Sequence, residues 1–72
     1  MVNKKLLLGK MVMNGHSQIS LAKEIGVSKN TIGAKINGKR PFNTDEISNI
    51  CNVLGITDVT EKVNIFFFKK SQ

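Results

Sequence analysis

Tryptophan and tyrosine are absent from this 72-residue chain, and cysteine, histidine and proline each occur once. Each scarcity removes a class of protein. A single cysteine, Cys51, cannot make an intrachain disulfide; a lone thiol at an apparent core position acts as a small buried hydrophobe and suits a reducing compartment. One histidine, His16, lying 35 positions from that cysteine, does not make a zinc site. No glycine-rich phosphate loop follows a strand, no tyrosine is available for recombinase-type chemistry, and no set of acids, bases and nucleophiles converges. An enzyme is therefore not expected, nor a cofactor, a metal or a small-molecule substrate.

Long hydrophobic runs are also missing. No stretch approaches the roughly 18 uninterrupted apolar residues of a membrane span. The N-terminal segment MVNKKLLLGKMVMNG is broken by Gly9 and Lys10 and is followed by no small-residue cleavage site, so it reads as a helix rather than a signal peptide. A soluble, cytoplasmic protein is expected. Seventy-two residues allow one domain, spanning 1–72, of a size that buries only about 60% of its unfolded surface. With 40% apolar residues and phenylalanine as the only aromatic, the core should be aliphatic and helical.

Acidic residues number five against eleven basic ones, for a net charge of +6. Their distribution is uneven. Residues 1–40 carry Lys4, Lys5, Lys10, Lys23, Lys29, Lys35, Lys39 and Arg40 against Glu24 alone, 8 − 1 = +7, while residues 41–72 carry three lysines against Asp45, Glu46, Asp58 and Glu61, 3 − 4 = −1. A polyanion would be drawn to the first part.

Within that part lies the most specific pattern, SQISLAKEIGVSKNTIGAKING at residues 17–38. Ser17 and Ser28 are placed as N-caps, Gly26 as a left-handed stop, and Asn37-Gly38 as the end of a second helix. Leu21, Ala22 and Ile25 form one inward stripe, Ile32 and Ile36 another, and Val27 can fold over Ile32 as a hydrophobic staple. Two short helices joined in this way are a helix-turn-helix, which usually holds its second helix in the DNA major groove.

Three further helices are expected, and no strand. The first begins at Asn3 as N-cap and runs to Met13 or Asn14, with Leu7, Leu8, Met11 and Val12 as its buried stripe and Gly9 weakening it. The fourth opens after Lys39-Arg40-Pro41-Phe42: Asn43 and Glu46 have capping-box spacing, Phe42 and Ile47 staple spacing, and Ile47, Ile50, Cys51 and Leu54 form a stripe ending at Gly55. Asp58 and Glu61 form a second capping pair, opening a fifth helix with Val59 and Val63. The run Ile65-Phe66-Phe67-Phe68 cannot all turn inward. Ile65 and Phe66 are expected to close the bundle, whereas an association surface within 59–68 would draw on Phe66, Phe67 and Phe68.

With Ile32 and Ile36 inward, the opposite face of the second helix carries Asn30, Gly33, Ala34 and Asn37, with Lys29 in its first turn. Lysine can donate to guanine O6 and N7, asparagine can bridge adenine N6 and N7, and alanine can touch a thymine methyl. Gln18, Asn37, Lys39 and Arg40 are placed to hold phosphates.

The run LAKEIGVSKNTIGAKING, with Gln18 before it and KRPF and DEISNICNVLGI after it, resembles the Cro/CI-type helix-turn-helix regulators of temperate bacteriophages, over roughly residues 6 to 56. The resemblance implies an all-α, compact five-helix bundle with a lambda-repressor-like DNA-binding domain, binding operator DNA as a dimer. The family's contact positions fall on Gln18, Ser28, Lys29, Asn30, Ala34, Asn37 and Arg40. Ten lysines to one arginine, with eight asparagines and eight isoleucines, fit a host of low GC content. Two residues depart from the pattern: Gly33 offers no side chain to a base, and Ile19 turns an apolar side chain outward where the family commonly has a polar one. Ile19, Gly33 and the terminal phenylalanines therefore keep a second reading open. In that reading the chain is similar to the antirepressors of lactococcal temperate phages, which pair with the phage's own repressor and alter or block its operator binding.

Overall fold

Each helix starts where a short polar side chain can satisfy a free backbone N–H. In the computed structural model, which describes residues 2–67, there are five: α1 (Lys4–Met13), α2 (Gln18–Ile25), α3 (Lys29–Ile36), α4 (Thr44–Leu54) and α5 (Val59–Phe66). Asn3, Ser17, Ser28, Asn43 and Asp58 are their N-caps, each side chain accepting a hydrogen bond from a first-turn amide. Such a cap contributes about 1 kcal/mol, a large share for helices this short. At Asn43 the box is closed by Glu46, and at Ser17 by Ser20, whose hydroxyl accepts from the Ser17 amide at 2.9 Å. Gly26 ends α2 with φ of 78°, a left-handed conformation that a side chain would strain.

The second capping pair behaves differently. Asp58 accepts from the Thr60 amide, but Glu61 turns away and pairs with Lys10 at 3.1 Å, tying α5 to α1.

One apolar cluster receives side chains from all five helices. Leu7 and Met11 enter it from α1, Leu21 and Ala22 from α2, Ile32 and Ile36 from α3, Ile47, Ile50, Cys51 and Leu54 from α4, and Ile65 and Phe66 from α5. Ile56 joins them from the α4–α5 connection. Phe42 meets Phe66 edge to face, ring centroids 5.6 Å apart, so the loop before α4 and the end of α5 close the bundle together. Burial pushes the Cys51 thiol above its usual range, as expected of an inert core cysteine.

Two expectations differ, Val12 in the buried stripe of α1 and Phe66 in an open association surface. Val12 is 76% exposed, because the buried stripe of α1 is narrow, with Leu7 and Met11 inside, Leu8 at its edge and Val12 beyond it. Val59 and Val63 face solvent, leaving Ile65 and Phe66 to anchor α5. Phe66 is only 5% exposed and so cannot serve as an open association residue. Phe67 is exposed, and Phe68 lies outside the described residues.

Gly9 is exposed in the middle of α1, and a Cβ added there would meet nothing within 4 Å. Gly9→Ala is expected to stabilise the fold by about 0.5–1 kcal/mol, seen as a higher urea midpoint at an unchanged denaturant slope.

Candidate nucleic-acid interface

The turn between α2 and α3 is built from backbone bonds to a single carbonyl. The amides of Gly26 and Val27 both donate to Ala22 O, at 2.9 and 3.0 Å, so the chain reverses at once and Val27 folds back over the core. Ser28 then caps α3, its oxygen accepting from the Thr31 amide and its hydroxyl donating to Thr31 Oγ1 at 2.9 Å. That engagement leaves Ser28 little capacity for any outside group.

Ile32 and Ile36 are fully buried, which fixes the rotation of α3. Lys29, Asn30 and Asn37 are exposed, and Gly33 and Ala34 lie half-buried between them. Gln18 sits at the start of α2 with its side chain over α3, its Oε1 3.6 Å from where a Gly33 Cβ would be. A glutamine from the neighbouring helix thus covers the space left by the missing side chain. An alanine at 33 would make ordinary van der Waals contact, so Gly33→Ala should stabilise α3 by about 0.5–1 kcal/mol, as Gly9→Ala does α1. The two variants part on binding. If α3 approaches its partner through Gly33, only Gly33→Ala weakens the complex in a titration.

At the far end of α3, Gly38 takes a φ of 80° and the Lys39 amide donates back to Ala34 O at 2.9 Å, leaving Lys39 and Arg40 exposed beyond it. Asn37 Oδ1 accepts a hydrogen bond from Lys4 Nζ at 2.6 Å, which brings the start of α1 beside this end. Ile19, the residue after Gln18, is 50% exposed.

Lys35 belongs elsewhere. It is 7% exposed, and its ammonium holds both carboxylate oxygens of Glu46 on α4, at 2.6 and 2.5 Å. Glu46 Oε1 also accepts from the Asn43 amide, so one carboxylate caps α4 and braces α3 against it. Burial pushes this carboxyl's pKa up, but the Lys35 bond, the Asn43 amide and the charges of Lys35 and Arg40 outweigh that and hold it below 4.5. The charge count of the sequence missed this. Lys35 stands at i+3 from Ile32, on the flank of the inward stripe, and that position was the available signal.

The basic field is therefore smaller than the linear count. Lys10 and Lys35 are paired with acids from the second part of the chain, which leaves Lys4, Lys5, Lys23, Lys29, Lys39 and Arg40, all exposed. Among the described residues no group of three or more His, Cys, Asp or Glu could hold a metal ion, and no helix is long and apolar enough to cross a membrane.

Five helices around one core, with α3 held outward by α2 and flanked by exposed cations, are the arrangement of a helix-turn-helix DNA-binding protein. Residues 10–61 match the helix-turn-helix family HTH_3, and the chain belongs to that family. It is a family of Cro/CI-type, DNA-binding regulatory domains rather than of typical enzymes, and it places this chain among the transcription regulators. Comparison with curated proteins yields no match.

Proposed function

We propose that the chain is a phage Cro-like regulator, one helix-turn-helix domain that lays α3 in the major groove of operator DNA. The observation that carries this reading is the exposure of Lys29 and Asn30 in the first turn of α3, a helix whose Gly33 lies under the Gln18 side chain. Lys29 meets guanine, Asn30 meets adenine, and Ala34 lies against a thymine methyl. Gln18, Asn37, Lys39 and Arg40 take phosphates on either side, with Ser28 contributing mainly as the cap of α3. Operator binding is dimeric, and the exposed residues Val59 and Val63 on α5 and Phe67 at its C-cap, spaced i, i+4, i+8, supply the surface for a second copy.

Binding to promoter DNA should then weaken steeply with salt, log K falling against log salt with a slope of about −0.9 per phosphate neutralised. A slope near zero would remove the reading.

A second reading has its own support. Ile19 is half exposed beside a recognition surface whose middle is Gly33 and Ala34, small and uncharged. Such a surface suits a protein partner, and an antirepressor would pair through it with the phage repressor. That complex should survive moderate salt and weaken when Ile19 becomes Glu; co-purification of a tagged chain with the repressor, with and without operator DNA, separates the two readings.

A further inference from the structure

We propose that Lys4 and Asn37 form a clamp for a backbone phosphate of duplex DNA, reached from α1 rather than from the helix-turn-helix. The proposal rests on the DNA-binding reading and adds to it a contact group, Lys4, from outside the motif. The two residues are 33 positions apart, both are exposed, and Lys4 Nζ lies 2.6 Å from Asn37 Oδ1.

That bond orients the amide. An ammonium has only donors, so the atom facing it must be the amide oxygen, and Nδ2 with its two N–H groups is turned the other way. Lysine commits one donor to Asn37 and keeps two. The pair thus offers up to four N–H donors, one set on a full positive charge, which is what a phosphate oxygen requires.

Both halves are held in place. The Asn3 amide donates to Ile65 O at 2.6 Å while the Asn3 side chain caps α1, which anchors the backbone at Lys4; the Asn37 amide donates to Gly33 O at 3.0 Å. Glu46 on α4 is bound to Lys35 and so does not compete for Lys4. Lys39 and Arg40 follow Asn37 and extend the same positive edge.

Phosphate contacts carry no sequence information, so a labelled random-sequence duplex is a sufficient probe. Its affinity would be measured by fluorescence anisotropy between 50 and 200 mM salt for the native chain, Lys4→Met, Lys4→Arg, Asn37→Asp and Lys62→Met. Lys4→Met should flatten the log–log slope by about 0.9, so that the native chain's advantage over it shrinks about 3.5-fold across that range. Asn37→Asp, which neutralises Lys4 in place, should flatten it at least as much. Lys4→Arg should keep the native slope, and Lys62→Met, on α5, should leave it unchanged. An unaltered slope in both Lys4→Met and Asn37→Asp overturns the clamp while leaving the DNA-binding reading intact. A lower melting temperature for Lys4→Met at the native slope would make Lys4 a structural brace and equally overturn it. Salt-independent binding by the native chain, or none, would defeat both readings together.

Discussion

Lys35→Met is expected to lower the unfolding free energy by about 3–5 kcal/mol, the usual cost of removing one partner from a buried ion pair. Glu46 would remain buried with its charge, keeping the Asn43 amide as its hydrogen-bond partner and the more distant charge of Arg40. For 72 residues a total stability of about 4–11 kcal/mol is typical, so the loss takes about a quarter of it or more. Urea unfolding followed by circular dichroism at neutral pH measures it. A change under about 1 kcal/mol would put the pair in the class of solvated surface bridges. Replacing both residues together by apolar ones of similar volume should recover much of the loss, because the desolvation of two charges is removed along with their attraction.

The same pair predicts the acid limb. The Glu46 carboxyl is held below 4.5 in the folded protein, so its stabilising contribution is complete above that value and is lost as pH falls through the lower, folded one. In Lys35→Met the main group lowering that pKa is gone while the burial that raises it remains. The midpoint of acid unfolding should therefore move to higher pH, and an unchanged midpoint would show that Lys35 does not set the ionisation of Glu46.

The second large effect concerns recognition. Lys29→Ala and Asn30→Ala should each weaken operator binding by about 1–3 kcal/mol, roughly 5- to 150-fold, and relax the preference for the base pair each contacts. Both side chains are exposed and neither caps α3, so thermal unfolding should barely change. That combination, lost affinity and specificity in an intact fold, distinguishes reading residues from supporting ones. Native affinity in both variants would show that α3 does not read DNA through its first turn, and would favour the protein-partner reading centred on Ile19.

Arg40 and Lys39 supply a contrast. If they hold phosphates, their removal weakens all duplexes alike and lowers the salt slope by about 1 each, without changing which sequence is preferred.

Much of the fold is legible in local chemistry. The five N-caps at Asn3, Ser17, Ser28, Asn43 and Asp58 stand where short polar residues precede apolar periodic runs, and the stripes Leu21-Ala22, Ile32-Ile36 and Ile47-Ile50-Cys51-Leu54 are buried as their spacing requires. These features are readable because caps and helical faces are set by residues three or four positions apart. Val12 was not readable in this way. Helical spacing says which residues share a face, not how wide a part of that face a neighbour will cover.

Phe66 carried two expectations, closing the bundle with Ile65 and joining an association surface, and only the first holds. Its partner in the core, Phe42, stands edge to face with it from a loop 24 positions away, a contact that no local spacing announces. Glu61 and Glu46 carry the limit to charge: both have capping-box spacing, yet Glu46 closes its box and Glu61 does not, because Lys10 on α1 stands within reach of it. The spacing is identical, and only the packing of α1 on α5 distinguishes them.

Residue order alone therefore specifies the helix-turn-helix: where α2 and α3 begin, where Gly26 turns the chain, and which face of α3 carries Lys29 and Asn30. Those outcomes follow from hydrogen bonds and burial over one or two helical turns. Which cations remain free to meet a polyanion was settled by assembly. Lys35 meets Glu46 across 11 positions, Lys10 meets Glu61 across the α1–α5 contact, and Lys4 reaches Asn37 across 33, and a charge's availability depends on its neighbours in space.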